Sequence, residues 1–207
     1  MNKEEALFWQ VLKDRASVRR YRQTPVPQEM LDELVTAAHL APIAGGSRTT
    51  RGNRNVVVQV FNDSAYITSV AAGVKKVCSE IIETIPNQDI KRETLAYSAN
   101  FSWFGKAPAL LAVSCRKTPS FMSFVVPKDT DDLFGGKASA AMAVQNILLA
   151  ATALGLGACC LTGPLFAKKW LEKELKSPPQ NTLVFLIPVG FPARGMKDSF
   201  NPDDTAE

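Results

Sequence analysis

The 207-residue sequence has one histidine, His39, and four cysteines, Cys78, Cys115, Cys159 and Cys160. A single imidazole excludes a histidine-rich metal site and leaves a Ser–His–Asp triad without a well-placed base. His39 falls at the end of a helical pattern just ahead of Pro42, where it suits the negative end of the helix dipole. The cysteines show no metal spacing and are too sparse for a disulfide scaffold, so they read as buried free thiols in a reducing, cytoplasmic setting. Phosphate loops are missing as well. Gly155-Leu156-Gly157 opens like a dinucleotide fingerprint, but Cys160 holds the third glycine position, and helix precedes the motif where strand should. Gly135-Gly136-Lys137 lacks the upstream glycine and the following hydroxyl of a P-loop. With acid–base and nucleophilic machinery this thin, any enzymatic chemistry is expected to come from a cofactor.

Charge of one sign is scarce too. Twenty-four basic and 20 acidic residues leave a formal net charge of +4, too little to imply nucleic acid. Arg48, Arg51 and Arg54 are the only stretch that invites that reading, and the missing recognition motif and the acidic tail (Asp198, Asp203, Asp204, Glu207) weigh against it. The N-terminus, MNKEEALFWQ, lacks the basic-then-apolar order of a signal peptide.

What the chain does have is a long uncharged stretch, Ala138 to Gly163. Seven of the sixteen residues from Ala138 to Ala153 are alanine, the best helix former, with Met142, Ile147, Leu148, Leu149 and Leu154 adding bulk. A helix apolar on nearly every side is expected to be buried on nearly every side. Gln145, Asn146 and Thr152 and the Gly-x-Gly break argue against a membrane span. Gly155 and Gly157 stop the helix, and Gly157 to Leu161 reads as a short buried strand.

Around this stretch the pattern is regular. Lys3 to Asp14 is a helix with Leu7, Phe8, Val11 and Leu12 at helical spacing. Pro27 suits the first position of a second helix bearing Leu31, Leu34, Val35 and Ala38, which ends before Pro42. Ile43 to Asn55 is a Gly-, Arg- and Thr-rich loop. Val56 to Phe61 is a strand, and Asp63 caps a third helix with Val70, Val74, Val77 and Ile81 in repeat. Pro86 and Asn87 break it, and Gln88 to Asn100 forms a further helix. Pro108 to Ser114 is a strand, Cys115 to Lys137 is irregular, Pro164 opens a helix through Lys176, and Thr182 to Val189 is the last strand. Strands alternating with helices, in apolar runs, indicate an α/β or α+β sheet covered on both faces. Residues 1–195 read as a single domain and 196–207 as a C-terminal tail.

Two basic clusters point to a compact anion. In the better one, Arg15, Ser17 and Arg19 alternate along RASVRRY, so an extended segment sets them on one side. Guanidinium forks and a hydroxyl match phosphate oxygens, although a solvated basic turn would have the same composition.

RASVRRYRQTPVPQEMLDELVTAAHLAP resembles the opening of the nitroreductase family of FMN-dependent enzymes. AVQNILLAATALGLGACCLTGP resembles that family's central helix and following strand, and LVFLIPVGFP its final strand and exit. The three matches come in the expected order over nearly the whole chain. The resemblance implies a homodimeric α+β fold, with a central, mostly antiparallel sheet flanked by helices. It implies FMN as cofactor, NAD(P)H as hydride donor and an electron-poor small molecule, a nitroaromatic or quinone, as acceptor in a ping-pong cycle. Arg15, Ala16, Ser17 and Arg19 would hold the phosphate and ribityl chain. Leu161, Thr162 and Gly163 would pass beside the isoalloxazine, with a backbone N–H near N5. Pro42, Ile43, Ala44 and Gly45 would cover the flavin across the dimer interface, and Arg194 and Lys197 would complete the phosphate site. The 43–55 loop departs from the family pattern, which leaves a flavin-holding protein with little NAD(P)H-driven turnover as the alternative.

Overall fold

The computed structural model describes residues 3–43, 55–116 and 134–193. Helices α1 (Lys3–Asp14) and α2 (Gln28–His39) precede strand β1 (Val56–Phe61), helices α3 (Ser64–Glu83) and α4 (Gln88–Ser98), and strand β2 (Ala109–Arg116). The long helix α5 (Phe134–Ala153), strand β3 (Gly157–Ala158), helix α6 (Lys168–Glu174) and strand β4 (Asn181–Gly190) follow. Short 3-10 turns lie at Trp103–Lys106 and Gly163–Ala167. Among the described residues the four strands pair antiparallel in the order β1-β2-β4-β3, so the fold is α+β.

Side-chain alternation along β2 divides the interior into two cores. Ala109, Leu111, Val113 and Cys115 pack with α2 and α5, and Leu110 and Ala112 pack with α3 and α6. Helix α2 lays Leu31, Leu34 and Ala38 onto the first core, and the Asn146 amide of α5 donates to the Ala37 carbonyl at 3.0 Å. Asp63 caps α3 as its sequence suggests, accepting from the N–H groups of Ala65 and Tyr66. The buried stripe of α3 is Ile67, Val70, Ala71, Val74, Cys78 and Ile82, one step round from the predicted row, so Ile81 faces solvent.

Four other expectations are corrected. Pro27 is the N-cap of α2 rather than its first helical residue, with ψ 141°. Asn87 does not merely end α3, because its side chain caps α4 through the N–H groups of Asp89 and Ile90. Gly135 and Gly136 lie inside the first turn of α5, and a side chain at 136 would press on Cys115, with Sγ 3.3 Å from the added Cβ. And α5 is not buried all round. Ala140, Ala143, Val144, Ile147 and Ala151 are covered, whereas Ala141, Met142, Gln145 and Ala153 form an open stripe.

Gly155 ends α5 in the left-handed region at φ +71°, and the Leu156 N–H reaches back to the Ala151 carbonyl at 2.8 Å, the bond of a Schellman motif. The strand that follows is shorter than expected. The Cys159 N–H meets the Pro188 carbonyl only at 3.4 Å, and pairing returns at one bridge, Leu161 with Leu186. Among the described residues no helix is long and apolar enough to cross a membrane.

Candidate functional site

The basic segment is extended and bound to the free side of β3. Ser17 bridges Ala158 in parallel sense, and the Val18 N–H donates to the Ala158 carbonyl at 3.1 Å. The chain leaving β4 secures its other end, through Arg22 N–H to the Phe191 carbonyl (2.9 Å) and Ala193 N–H to the Arg20 carbonyl (3.1 Å). Tyr21 locks the middle. Its hydroxyl faces the carbonyls of Val18 and Pro188, and its ring stacks on Trp103 at 6.4 Å. Arg15, Ser17 and Arg19 are half-buried while Ala16 and Arg20 are exposed; Val18 is half-buried as well, so burial does not alternate strictly. A guanidinium nitrogen of Arg19 donates to the Ser17 backbone carbonyl at 3.3 Å.

The same edge leads directly to Leu161–Gly163. Leu161 and Leu186 exchange both backbone bonds, at 2.8 and 3.1 Å, so the Leu161 N–H is already used. The N–H groups of exposed Thr162 and of Gly163 have no acceptor among the described residues. The edge therefore offers charge-assisted donors at one end and two unspent backbone donors at the other.

An aromatic group that the sequence reading did not single out flanks the second end. A side chain on Gly163 would lie 2.6 Å from the Phe101 ring. Phe101 in turn meets Tyr97 edge-on at 5.0 Å and Phe166 at 6.4 Å, and Tyr97 is 72% exposed. The crowding of Tyr97, Phe101, Trp103 and Phe104 was the available signal. Beside it, burial and the neighbouring Cys159 push the Cys160 thiol up to about 11. All four cysteines are free.

Ser17 and Val18 meet Ala158, three residues before Leu161, so the fold sets the segment of Arg15, Ala16, Ser17 and Arg19 beside the strand that leads into Leu161, Thr162 and Gly163. Exposed Pro42 and half-buried Ile43 stand at the end of α2, and no described hydrogen bond links them to that edge. Ala44, Gly45, Arg194 and Lys197 lie outside the described residues. No cluster of metal-ligating side chains occurs among the described residues.

Residues 12–191 match the model of the nitroreductase family. The chain belongs to that family. A protein of Methanothermobacter thermautotrophicus, provisionally named an NADH dehydrogenase/NAD(P)H nitroreductase, is 30% identical over 203 residues, covering 94% of this chain and 83% of the relative. Among solved structures, a BluB-like flavoprotein from Clostridium difficile superposes with a TM-score of 0.77 at 23% identity, covering 93% of both chains. A nitroreductase with bound FMN from Bacteroides fragilis gives 0.68 at 17% identity, covering 97% of this chain and 94% of that one. At such identities the structures speak for a shared nitroreductase fold.

Proposed function

We propose that this chain is an FMN-dependent oxidoreductase, active as a homodimer in the cytoplasm, that takes hydride from NAD(P)H and passes electrons to an electron-poor small molecule. The observation that carries this reading is the pairing of Ser17 with Ala158, which sets the anion-binding segment and the Leu161–Gly163 segment on one edge of the sheet. Family membership and the FMN-bound relative support the choice of cofactor.

The residues present fit FMN. Two arginines and a hydroxyl suit a phosphate monoester, and the unspent N–H groups of Thr162 and Gly163 suit a ring edge that accepts hydrogen bonds. Bound there, FMN would supply the hydride and electron chemistry that the side chains lack. Arg15, Ser17 and Arg19 bind and orient, with their segment held rigid from β3, β4 and Tyr21. Leu161 fixes the backbone by its two hydrogen bonds with Leu186, so the next donor is preorganised rather than recruited during reaction. Tyr97, Phe101 and Phe166 form an apolar wall beside Gly163 that limits water and favours a flat acceptor.

The visible spectrum of the purified protein tests the cofactor. Flavin bands, or stoichiometric FMN uptake by the cofactor-free protein, are expected, and a colourless protein that takes up no FMN refutes the reading. Bleaching by NADH or NADPH and recovery with a quinone test turnover. Tight FMN that neither nucleotide reduces would instead identify a flavin-holding protein. The open stripe of α5 supports the dimer, which sedimentation at micromolar concentration checks.

A further inference from the structure

We propose that Gly157 is a positioning residue for the FMN-binding segment and acts through Val18. The Cβ missing at 157 is the slot that Val18 fills, and that slot fixes where Arg15, Ser17 and Arg19 stand. The inference rests on the FMN reading above.

A Cβ built on Gly157 would lie 2.5 Å from Val18 Cγ1, 2.6 Å from its Cβ and 2.8 Å from its Cγ2. Rotation about χ1 moves only the two Cγ atoms, so Val18 cannot escape by changing rotamer. Its backbone would have to withdraw from β3. The bonds given up would be those that define the segment, the Val18 N–H to Ala158 and the Ser17–Ala158 bridge. Ser17 and Arg19 are the immediate neighbours of Val18, so they would move with it. Backbone conformation does not account for a glycine here, because the described glycine with positive φ is Gly155. Close approach does. The cross-strand partner of Gly157 is Gly190, where an added Cβ would meet Pro108 and the ring of Tyr21, whose hydroxyl faces the Val18 carbonyl. Gly190 thus makes room first for Pro108 and then for Tyr21, whereas Gly157 makes room for Val18 alone among its nearest neighbours.

The test compares Gly157→Ala, Val18→Gly, the doubles Gly157→Ala/Val18→Ala and Gly157→Ala/Val18→Gly, and Gly73→Ala. The last is a control, since a Cβ there would lie 2.1 Å from the Trp170 ring, between α3 and α6. FMN affinity is read by quenching of flavin fluorescence on titration into cofactor-free protein, and slot integrity by hydrogen exchange at the Val18 amide. Gly157→Ala should weaken FMN at least tenfold and speed Val18 exchange. Val18→Ala should rescue little, because its Cβ still blocks the new methyl. Val18→Gly should return the double variant to within about threefold of Val18→Gly alone. Gly73→Ala should lower Tm while leaving FMN affinity within twofold.

Parental FMN affinity and exchange in Gly157→Ala overturn the proposal, as does a Val18→Gly double variant that binds no better than Gly157→Ala. If Gly157→Ala fails to fold, the Val18→Gly double must fold, and its failure also overturns it. Equal FMN loss in Gly73→Ala would show general destabilisation instead of positioning. If the parent itself binds no FMN, the FMN reading falls, and Val18 exchange in Gly157→Ala alone decides whether the slot exists.

Discussion

On the α3/α6 side of the sheet the filling is bulky. Phe104, Ile67, Leu110, Leu171, Leu175, Leu183 and Leu186 are fully or almost fully buried there. On the α2/α5 side much of the core is alanine, at positions 38, 41, 109, 140, 143, 151 and 158. Large side chains fill the space between sheet and helix and leave that face closed on itself. Small ones let α2, α5 and the sheet approach closely but cover less of the helix circumference. Hence α5 keeps its open stripe, with Met142 37% exposed, and α1, which packs on α5, shows Leu7, Phe8 and Trp9 at 58%, 57% and 52%. The candidate site opens at the β3 edge, against which α5 also packs. The α3/α6 side is closed by large side chains, whereas the α2/α5 side combines Leu31, Leu34, Leu111 and Ile147 with small residues that permit close approach and leave part of α5 open.

The sharpest way to break that comparison is Phe104→Ala. This side chain is fully buried in the bulky core, and its removal should cost about 3–5 kcal/mol of stability, the range for truncating a buried phenylalanine. Denaturant unfolding measures it, with FMN affinity of the folded fraction nearly unchanged. A loss under 1 kcal/mol would mean that this core is not tightly closed.

Arg19→Ala should do the reverse. The guanidinium is half-buried at the site, and deleting it should cost about 1.5–3 kcal/mol of FMN binding, the range for hydrogen bonds to charged groups. Thermal stability without cofactor should barely move. Unchanged FMN affinity would remove Arg19 from the phosphate site.

How far this division could be read in advance depended on range. Helix α1 and strand β1 run as periodicity and the turn residues around them predict, because those signals are local. The role of Ser17 and Arg19 in holding a phosphate is a proposal, but the extended course of the segment that carries them was legible for the same local reason. The open face of α5 was not, since an alanine-rich helix reads alike whether its neighbour is the same chain or another. Neither was the wall at Gly163, where Phe101 arrives from 62 positions earlier in the chain. The early end of β3 escaped for a related reason. GACCL is apolar throughout, but pairing also needs backbone register with β4, which slackens at Cys159.

A smaller effect is expected at Thr162, where side chain and backbone can be separated. Thr162→Ala should leave FMN bound and most reductive activity intact, because the side chain is exposed. Thr162→Pro deletes the unspent N–H and should slow flavin reduction by roughly tenfold or more, if that donor acts like an oxyanion-hole contact. Circular dichroism must first show the proline variant folded. A folded, FMN-loaded variant reduced at the parental rate would exclude this N–H from the chemistry.

The least change is expected at Cys160, although it is the half-buried thiol nearest the site. Burial first, and then the neighbouring Cys159, raises its pKa to about 11. The neutral thiol therefore persists through the physiological range, and the nucleophilic thiolate appears only as pH climbs toward that value. At pH 8 a thiol with pKa near 11 is about 0.1% ionised, against roughly 10–25% for an ordinary cysteine near 8.5–9. Iodoacetamide should therefore modify Cys160 in the folded protein about a hundredfold more slowly than a free thiol at that pH, with the rate still rising at pH 10. On the other side of the sheet, Cys78 is also raised by burial and should be protected as well. Rapid alkylation of Cys160 at pH 8, mapped by mass spectrometry, would show a low-pKa thiol on the site side and give that half of the molecule a reactivity its packing does not predict.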